Sequence, residues 1–448
     1  MEFAISGHCP GCGAGIEIGG SQRLIACPYC RGRNYLFFRG IPRLVILPKN
    51  QSPSSMGKTL LLPYLRFTGA FFHWPQGILR HSLLDTSRLA VILPGLPESL
   101  GLRTQVLPAR FASDVMDGAY CRRGRAAWDV LVESTALSGL AVEMNLSGEF
   151  SETAALDRRK SENHAEQKPA TTGRSAWIGE TAAIIYMPVL RHSGRWFDGL
   201  SGRVLPVDDD RMSALPASKG QSGWQPDFLS AFCPNCGGEL QGGGQSGGQG
   251  GGLPGSRASN SLVLHCPACE RLWWQEAGAW RQLPWDILGE KPSRDSVYLP
   301  FWRLECADKS NTIAGFADFL TLVLGYGRFS AQPLADMPLS FLIPAWKMAP
   351  PVFLRAARLL TINQERLPPM GPGEMTAFFP VTLPPEEARQ AVTPFLVSLN
   401  RKKLMETRLV HQTERLVFVP FEKTAGEFIH RDCGFSLPRS LEFLSPAV

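Results

Sequence analysis

Apolar residues along this chain come in short blocks. Leu44–Leu47, Ala183–Tyr186 and Leu416–Val419 are unbroken runs of aliphatic or aromatic residues, and their length and composition predict strands. A 3.6-residue rhythm is rarer. Pro384-Pro385-Glu386-Glu387-Ala388-Arg389 has the prolines and acidic residues of a helix start, and Pro351–Thr361, with Val352, Leu354, Ala356, Ala357 and Leu359, predicts a second helix. The expected class is α+β with more strand than helix.

The blocks recur in order. Leu61-Leu62-Pro63-Tyr64-Leu65-Arg66 returns as Tyr298-Leu299-Pro300-Phe301-Trp302-Arg303, 237 residues later. Ile185-Tyr186-Met187-Pro188-Val189-Leu190 returns as Val417-Phe418-Val419-Pro420-Phe421-Glu422, 232 residues later. Between them, Ile92-Leu93-Pro94 echoes Leu342-Ile343-Pro344. Aliphatic-proline-aromatic strings are common at strand ends, which explains any one match but not their order. The expectation is a tandem duplication, with an α+β domain at 58–206 and another at 295–448.

Polar segments interrupt this plan. Residues 151–176 are charged with few apolar anchors and predict a mobile insertion. Residues 207–226, with Asp208-Asp209-Asp210 followed by Ser, Pro and Gly, predict a linker between halves. Residues 237–257 are glycine-rich and predict a flexible loop.

Composition adds bounds. The 448 residues allow two to four domains, and 44% hydrophobic residues suffice for ordinary cores. No apolar run approaches the roughly 18 residues of a membrane span. Met1–Cys9 lacks a basic stretch and a long apolar run, so a cytoplasmic, reducing location is expected. The net charge is +6, unevenly distributed. Residues 1–50 hold six basic groups (Arg23, Arg31, Arg33, Arg39, Arg43, Lys49) and two acidic ones (Glu2, Glu17). Residues 230–290 hold three basic groups (Arg257, Arg271, Arg281) and five acidic ones (Glu239, Glu270, Glu276, Asp286, Glu290). Only the first region has the charge to approach a phosphate backbone, through Arg31, Arg33, Arg39 and Arg43.

Eight of the eleven cysteines form four Cys-Pro-x-Cys pairs: Cys9/Cys12, Cys27/Cys30, Cys233/Cys236 and Cys266/Cys269. In a reducing compartment such pairs read as metal sites rather than disulfides. Two pairs per set let four thiolates surround one tetrahedral ion. Proline after the first cysteine fixes φ and tightens each turn, and Gly11, Gly13, Gly237 and Ala268 suit the same turns. The gap between pairs is 14 residues in the first set and 29 in the second, where the glycine-rich tract lies. Loop closure tolerates this, at about 0.6 kcal/mol per doubling. Tyr35, Phe37 and Phe38 follow the first set and Trp273, Trp274 and Trp280 the second, to cover modules too small for their own core. The pattern resembles the zinc-ribbon superfamily, over residues 1–48 and 230–288. The resemblance implies two structural zinc ions held by the eight cysteines. It implies no particular activity.

Other chemistry is weaker. Cys27-Pro28-Tyr29-Cys30 reads like a glutaredoxin dithiol, but a reactive pair needs a lowered thiol pKa, usually at a helix N-terminus, and Arg31–Tyr35 is a poor helix start. His164-Ala165-Glu166 offers half of a zinc-deaminase motif without the Pro-Cys-x-x-Cys half. Ser52 through Gly57-Lys58-Thr59 resembles a phosphate loop, but Leu60-Leu61-Leu62-Pro63 is not the helix it needs. His8 and His265 precede ligand cysteines and are expected outside the metal shell. Arg401, Lys402, Lys403 and Arg408 read as a solvated helix face, Tyr64/Arg66 and Phe301/Arg303 as buried strand ends, and Cys121, Cys306 and Cys433 as core residues. The expected function is a non-enzymatic zinc-binding scaffold for protein partners. The alternatives are a nucleic-acid-binding accessory factor using the basic first ribbon, and an enzyme with a site between the halves.

Overall fold

A computed structural model describes residues 4–19, 22–47, 59–74, 77–114, 118–127, 129–131, 175–219, 225–245, 260–289, 296–325, 334, 336–373, 377–431 and 433–438. The fold is a strand-rich α+β arrangement. The first half contains β1 (Ala4–His8), β2 (Gly15–Gly19), β3 (Leu24–Ala26), β4 (Arg33–Phe37), β5 (Arg43–Ile46), β6 (Thr59–His73), β7 (Arg80–Leu89), β8 (Ala109–Phe111), β9 (Ala119–Cys121), β10 (Ser175–His192), β11 (Arg195–Asp198) and β12 (Ala217–Lys219). The second contains β13 (Asp227–Ser230), β14 (Gly244–Gln245), β15 (Val263–Cys266), β16 (Arg271–Glu276), β17 (Ala279–Leu283), β18 (Trp285–Leu288), β19 (Ser296–Asp308), β20 (Ser340–Pro344), β21 (Pro369–Gly371), β22 (Ala377–Phe378), β23 (Leu409–Lys423), β24 (Glu427–His430) and β25 (Phe435–Pro438).

Among the described residues two large sheets carry the halves. One runs β12-β9-β6-β10-β5-β8-β1-β2, with β7 on β6 and β11 on β10. The other runs β14-β22-β19-β23-β18-β21, with β20 on β19 and β24 on β23. Strand senses agree between them. β10 is antiparallel to β6 and parallel to β5, while β23 is antiparallel to β19 and parallel to β18. The register agrees too, since Pro63 faces Tyr186 and Pro300 faces Phe418. The Ala90 N–H donates to the Pro63 carbonyl at 2.9 Å, and the Ala345 N–H donates to the Pro300 carbonyl at 3.0 Å. The third sequence echo is not matched, because Ile92–Pro94 lies beyond β7 whereas Leu342–Pro344 lies within β20. In the hydrogen-bonding pattern Ala90 is the counterpart of Ala345.

The central strands are far longer than the four-residue runs that announce them. All fifteen residues of β6 are buried, with both faces covered, so its sequence lacks the alternation of a half-exposed strand. Tyr64 is fully buried and donates its hydroxyl to the Pro97 carbonyl, and Arg66 pairs with Asp85 at 3.3 Å. The helices Pro350–Asn363 and Pro385–Ser398 fall where proline and acidic residues placed them. They contribute to one core that takes in Ala70, Phe72, Trp74, Ala176 and Ile178 from the first half. Beside it, the Gly179 N–H donates to the buried carboxylate of Glu387.

Two expectations change. Residues 208–219 do not form a simple linker. Asp208 caps a helical turn, Asp209–Ser213, by accepting the Arg211 N–H, Asp209 binds Arg191 and Trp196, and β12 joins the first sheet through β9. An acidic triplet has linker composition, yet two of its members here have local hydrogen-bonding duties. The glycine-rich tract is not all loop either. Gly244 and Gln245 form β14 against β22, and at Gly243 (φ +93°) a Cβ would come within 2.9 Å of the Phe378 carbonyl oxygen. Glycine permits that close backbone approach. Residues 246–257 of the tract, residues 151–174 of the expected insertion with His164 and Glu166, and Ser52–Lys58 lie outside the described residues. Thr59 opens a strand and not the helix a phosphate loop requires.

Candidate metal centres

The four cysteine pairs make one repeated turn. At three of them the first cysteine's carbonyl accepts the N–H of the residue four positions on: Gly13 at 2.8 Å, Arg31 at 2.9 Å and Gly237 at 2.9 Å. That residue is left-handed in every pair, with φ +74° at Gly13, +59° at Arg31, +74° at Gly237 and +54° at Glu270. The first pair of each set meets this demand with glycine and the second with a charged residue. The turns close hairpins. Cys27–Cys30 links β3 to β4, and Cys266–Cys269 links β15 to β16.

The pairs converge as two groups of four, Cys9/Cys12/Cys27/Cys30 and Cys233/Cys236/Cys266/Cys269, with all sulfurs of a group within 4.8 Å of one another. Cross-pair distances are 3.7 Å for Cys9–Cys30 and Cys12–Cys27, 3.6 Å for Cys233–Cys269 and 3.4 Å for Cys236–Cys266. A tetrahedral ion with metal–sulfur bonds of about 2.3 Å would separate its sulfurs by about 3.8 Å. The donor set and spacing therefore suit a metal ion at each group. The first cysteine of every pair is buried, whereas Cys12, Cys30 and Cys236 are exposed and Cys269 is half-buried.

Ionisation within each group is uneven. The backbone N–H groups of Cys30 and Tyr29 hold Cys27 down to about 7. Burial opposes ionisation of Cys233, but the N–H groups of Cys236 and Asn235 outweigh it and bring this thiol to about 7 as well. At Cys12 the Ala14 N–H favours the thiolate, yet burial and the neighbouring thiols prevail and push it up to about 11. Burial, then Cys236, pushes Cys266 up to about 12. Four neighbouring sulfurs resist carrying charge together, and a cation in their midst removes that conflict. The turn N–H groups that favour the Cys27 thiolate suit a metal ligand, and the strand β4, not a helix, follows the pair.

The histidines beside the ligands stay outside the groups. His8 is exposed on β1. His265 is buried, lies edge-on to Trp285 and Phe378, and is held neutral by burial, which lowers its pKa to about 4. Of the three thiols outside the groups, Cys433 is half-buried against the second half's core rather than inside it, and Cys121 and Cys306 are buried. Burial raises Cys121 to about 11 and Cys306 to about 12, and His411, 3.4 Å from Cys306, is itself kept neutral by burial.

What the sequence did not reveal is that the ribbons meet. β13, just ahead of Cys233, pairs antiparallel with β4 and completes the sheet β13-β4-β3. Tyr35 and Phe37 share a cluster with Cys233, Leu264, Cys266 and Trp273. Tyr35 stacks edge-on against Trp280 at 5.1 Å, and the Trp280 indole N–H donates to the Ser230 carbonyl at 2.9 Å. Arg33 pairs with Glu239 at 3.4 Å and Arg39 with Asp227 at 2.9 Å. The opposite charges of the two ribbons were the available signal.

No family model, curated protein or solved structure matches the chain. No described helix is long and apolar enough to cross a membrane.

Proposed function

We propose that this chain is a structural zinc protein built from a duplicated unit, serving as a non-enzymatic scaffold for other proteins. Each unit is a ribbon followed by an α+β domain, 1–48 with 58–206 and 230–288 with 295–448. The observation that carries the reading is the pair of four-cysteine groups with sulfur spacings of 3.4–3.7 Å at hairpin turns. Zinc is the favoured ion because four thiolates on two paired loops are its structural coordination set, with no position left for substrate. The common strand order, senses and Pro63/Pro300 register support the duplication.

Glu239 of the second ribbon and Asp227 just ahead of it already answer Arg33 and Arg39, so a nucleic-acid contact through the basic set is the weaker reading. Among the described residues, a small cleft between the halves lined by residues such as Gly69, Phe72, Gly179, Trp346 and Lys347 has mostly apolar walls, which favours an inter-half enzyme site less. Elemental analysis of the purified protein tests the metal: two zinc per chain are expected, and fewer than one sinks the reading. Isolation from the native host under mild conditions tests the scaffold. A stoichiometric protein partner is expected, and recovery of the chain alone argues against it. Binding to nucleic acid that weakens steeply with salt and vanishes on charge reversal at Arg31 and Arg43 would favour the alternative.

A further inference from the structure

Each four-cysteine group is packed against by residues of the other ribbon or of the strand that leads into it. Phe228, which precedes the second group by five residues, packs on the cluster that contains Cys9 and Cys27. Tyr35 and Phe37, from the first ribbon, lie in the cluster that contains Cys233 and Cys266, with Cys269 packed against it. β4 leads away from the Cys27–Cys30 turn, and β13 leads into the Cys233–Cys236 turn. Those two strands are hydrogen-bonded from Asp227–Phe37 to Ser230–Asn34, and the Ala231 N–H continues the contact to the Arg33 carbonyl at 3.1 Å. A hairpin that loses its ion thus loosens a strand that braces the turn of the other site.

We propose that the two metal sites form one coupled unit, in which an ion at either site raises the affinity of the other. The idea rests on the zinc reading above. Ribbons of this size depend on metal for their fold. A ribbon emptied of metal therefore withdraws its half of the shared sheet and cluster, and the remaining site pays the loss as weaker binding. Coupling of this kind is reciprocal, and typical magnitudes are about 5- to 150-fold in affinity.

The test uses the full chain and zinc alone, in equilibrium competition with a chromogenic chelator. The double substitution Cys236→Ser/Cys269→Ser removes two ligands from the second site. The first site should still bind one zinc, but about tenfold or more weakly than in the unaltered protein. Cys12→Ser/Cys30→Ser should weaken the second site by the same factor. Trp280→Ala keeps all eight thiolates and covers the event that a ligand variant does not fold. It should bind two zinc per chain yet give them up in two separate steps, where the unaltered protein gives them up in one. Two zinc per chain released independently in the unaltered protein, or a remaining site with unchanged affinity in both ligand variants, overturns the coupling and leaves the zinc reading intact. Fewer than one zinc per chain in the unaltered protein overturns both.

Discussion

The two ribbons share their turns and differ in nearly everything around them. In the first, the hairpin of β1 and β2 continues into the large sheet through β1 against β8, so one knuckle is anchored in a main core. In the second, β15, β16 and β17 form a sheet of their own, and the Cys233–Cys236 knuckle is tied down by the isolated bridges Phe232–Glu239 and Gln241–His265. The first ribbon is basic and the second acidic. Taken alone, that contrast suggests two surfaces for two kinds of partner. In the fold, Arg33 of the first faces Glu239 of the second, and Arg39 faces Asp227 on the strand that leads into the second. The divergence is complementarity within a single molecule.

The largest test of that view is metal removal. Stripping both sites with a chelator should lower the thermal midpoint by more than ten degrees, since structural zinc supplies about 10–16 kcal/mol of apparent binding energy to such modules. Scanning calorimetry with and without metal measures it, and a chelated protein with an unchanged midpoint would show the ribbons to be self-sufficient. Next in size is the contact between halves. Phe72, 1% exposed, sits in the second half's core, and Phe72→Ala should cost about 3–5 kcal/mol in denaturant unfolding. A cost below about 1 kcal/mol would mean the halves pack loosely.

Acidity sharpens the comparison further. Bound thiols must lose their protons, so falling pH opposes metal at both sites. Protonation of the easiest thiolates, Cys27 and Cys233 at about 7, sets in as pH drops from 8 to 6. Retained zinc, measured across that interval in a chelator buffer, should fall, and constant retention would contradict the sign. Smaller still is the charge complementarity. Arg33→Glu with Arg39→Glu should destabilise the ribbon pair by about 1 kcal/mol, and adding Glu239→Arg with Asp227→Arg should recover part of it, because exposed ion pairs are each worth up to about 1 kcal/mol. A thermodynamic cycle with no recovery would assign the pairs to chance proximity. The smallest effect belongs to the turns. Arg31→Gly and Glu270→Gly relieve left-handed non-glycine residues and should each stabilise by a few tenths of a kcal/mol up to about 1 kcal/mol, as Gly13 and Gly237 already do in their own turns.

Local chemistry was legible in the sequence. Cys-Pro-x-Cys spacing is short-range, so all eight cysteines fell into the two groups that the folded chain assembles. The blocks Leu44–Leu47, Ala183–Tyr186 and Leu416–Val419 lie on central strands, but their extents were not legible. β10 runs eighteen residues and β23 fifteen, through stretches such as Arg191-His192 and Thr413-Glu414 that carry no apolar signal and are held by pairing with a neighbour. The same reason hid β14, because glycine signals flexibility until a partner strand is known to lie alongside. The ribbon contact was the least visible, because Arg39 and Asp227 are 188 positions apart and no local pattern encodes their meeting.

That separation has a consequence in time. A ribosome adds roughly 5–20 residues per second, so β4 is made some ten to forty seconds before β13. During that interval the first ribbon carries an open hydrogen-bonding edge, with Tyr35 and Phe37 awaiting the residues that will cover them. A nascent chain in this state is a ready template for stray strands. Prompt capture of an ion by Cys9, Cys12, Cys27 and Cys30 would hold that hairpin closed until the rest of the molecule arrives.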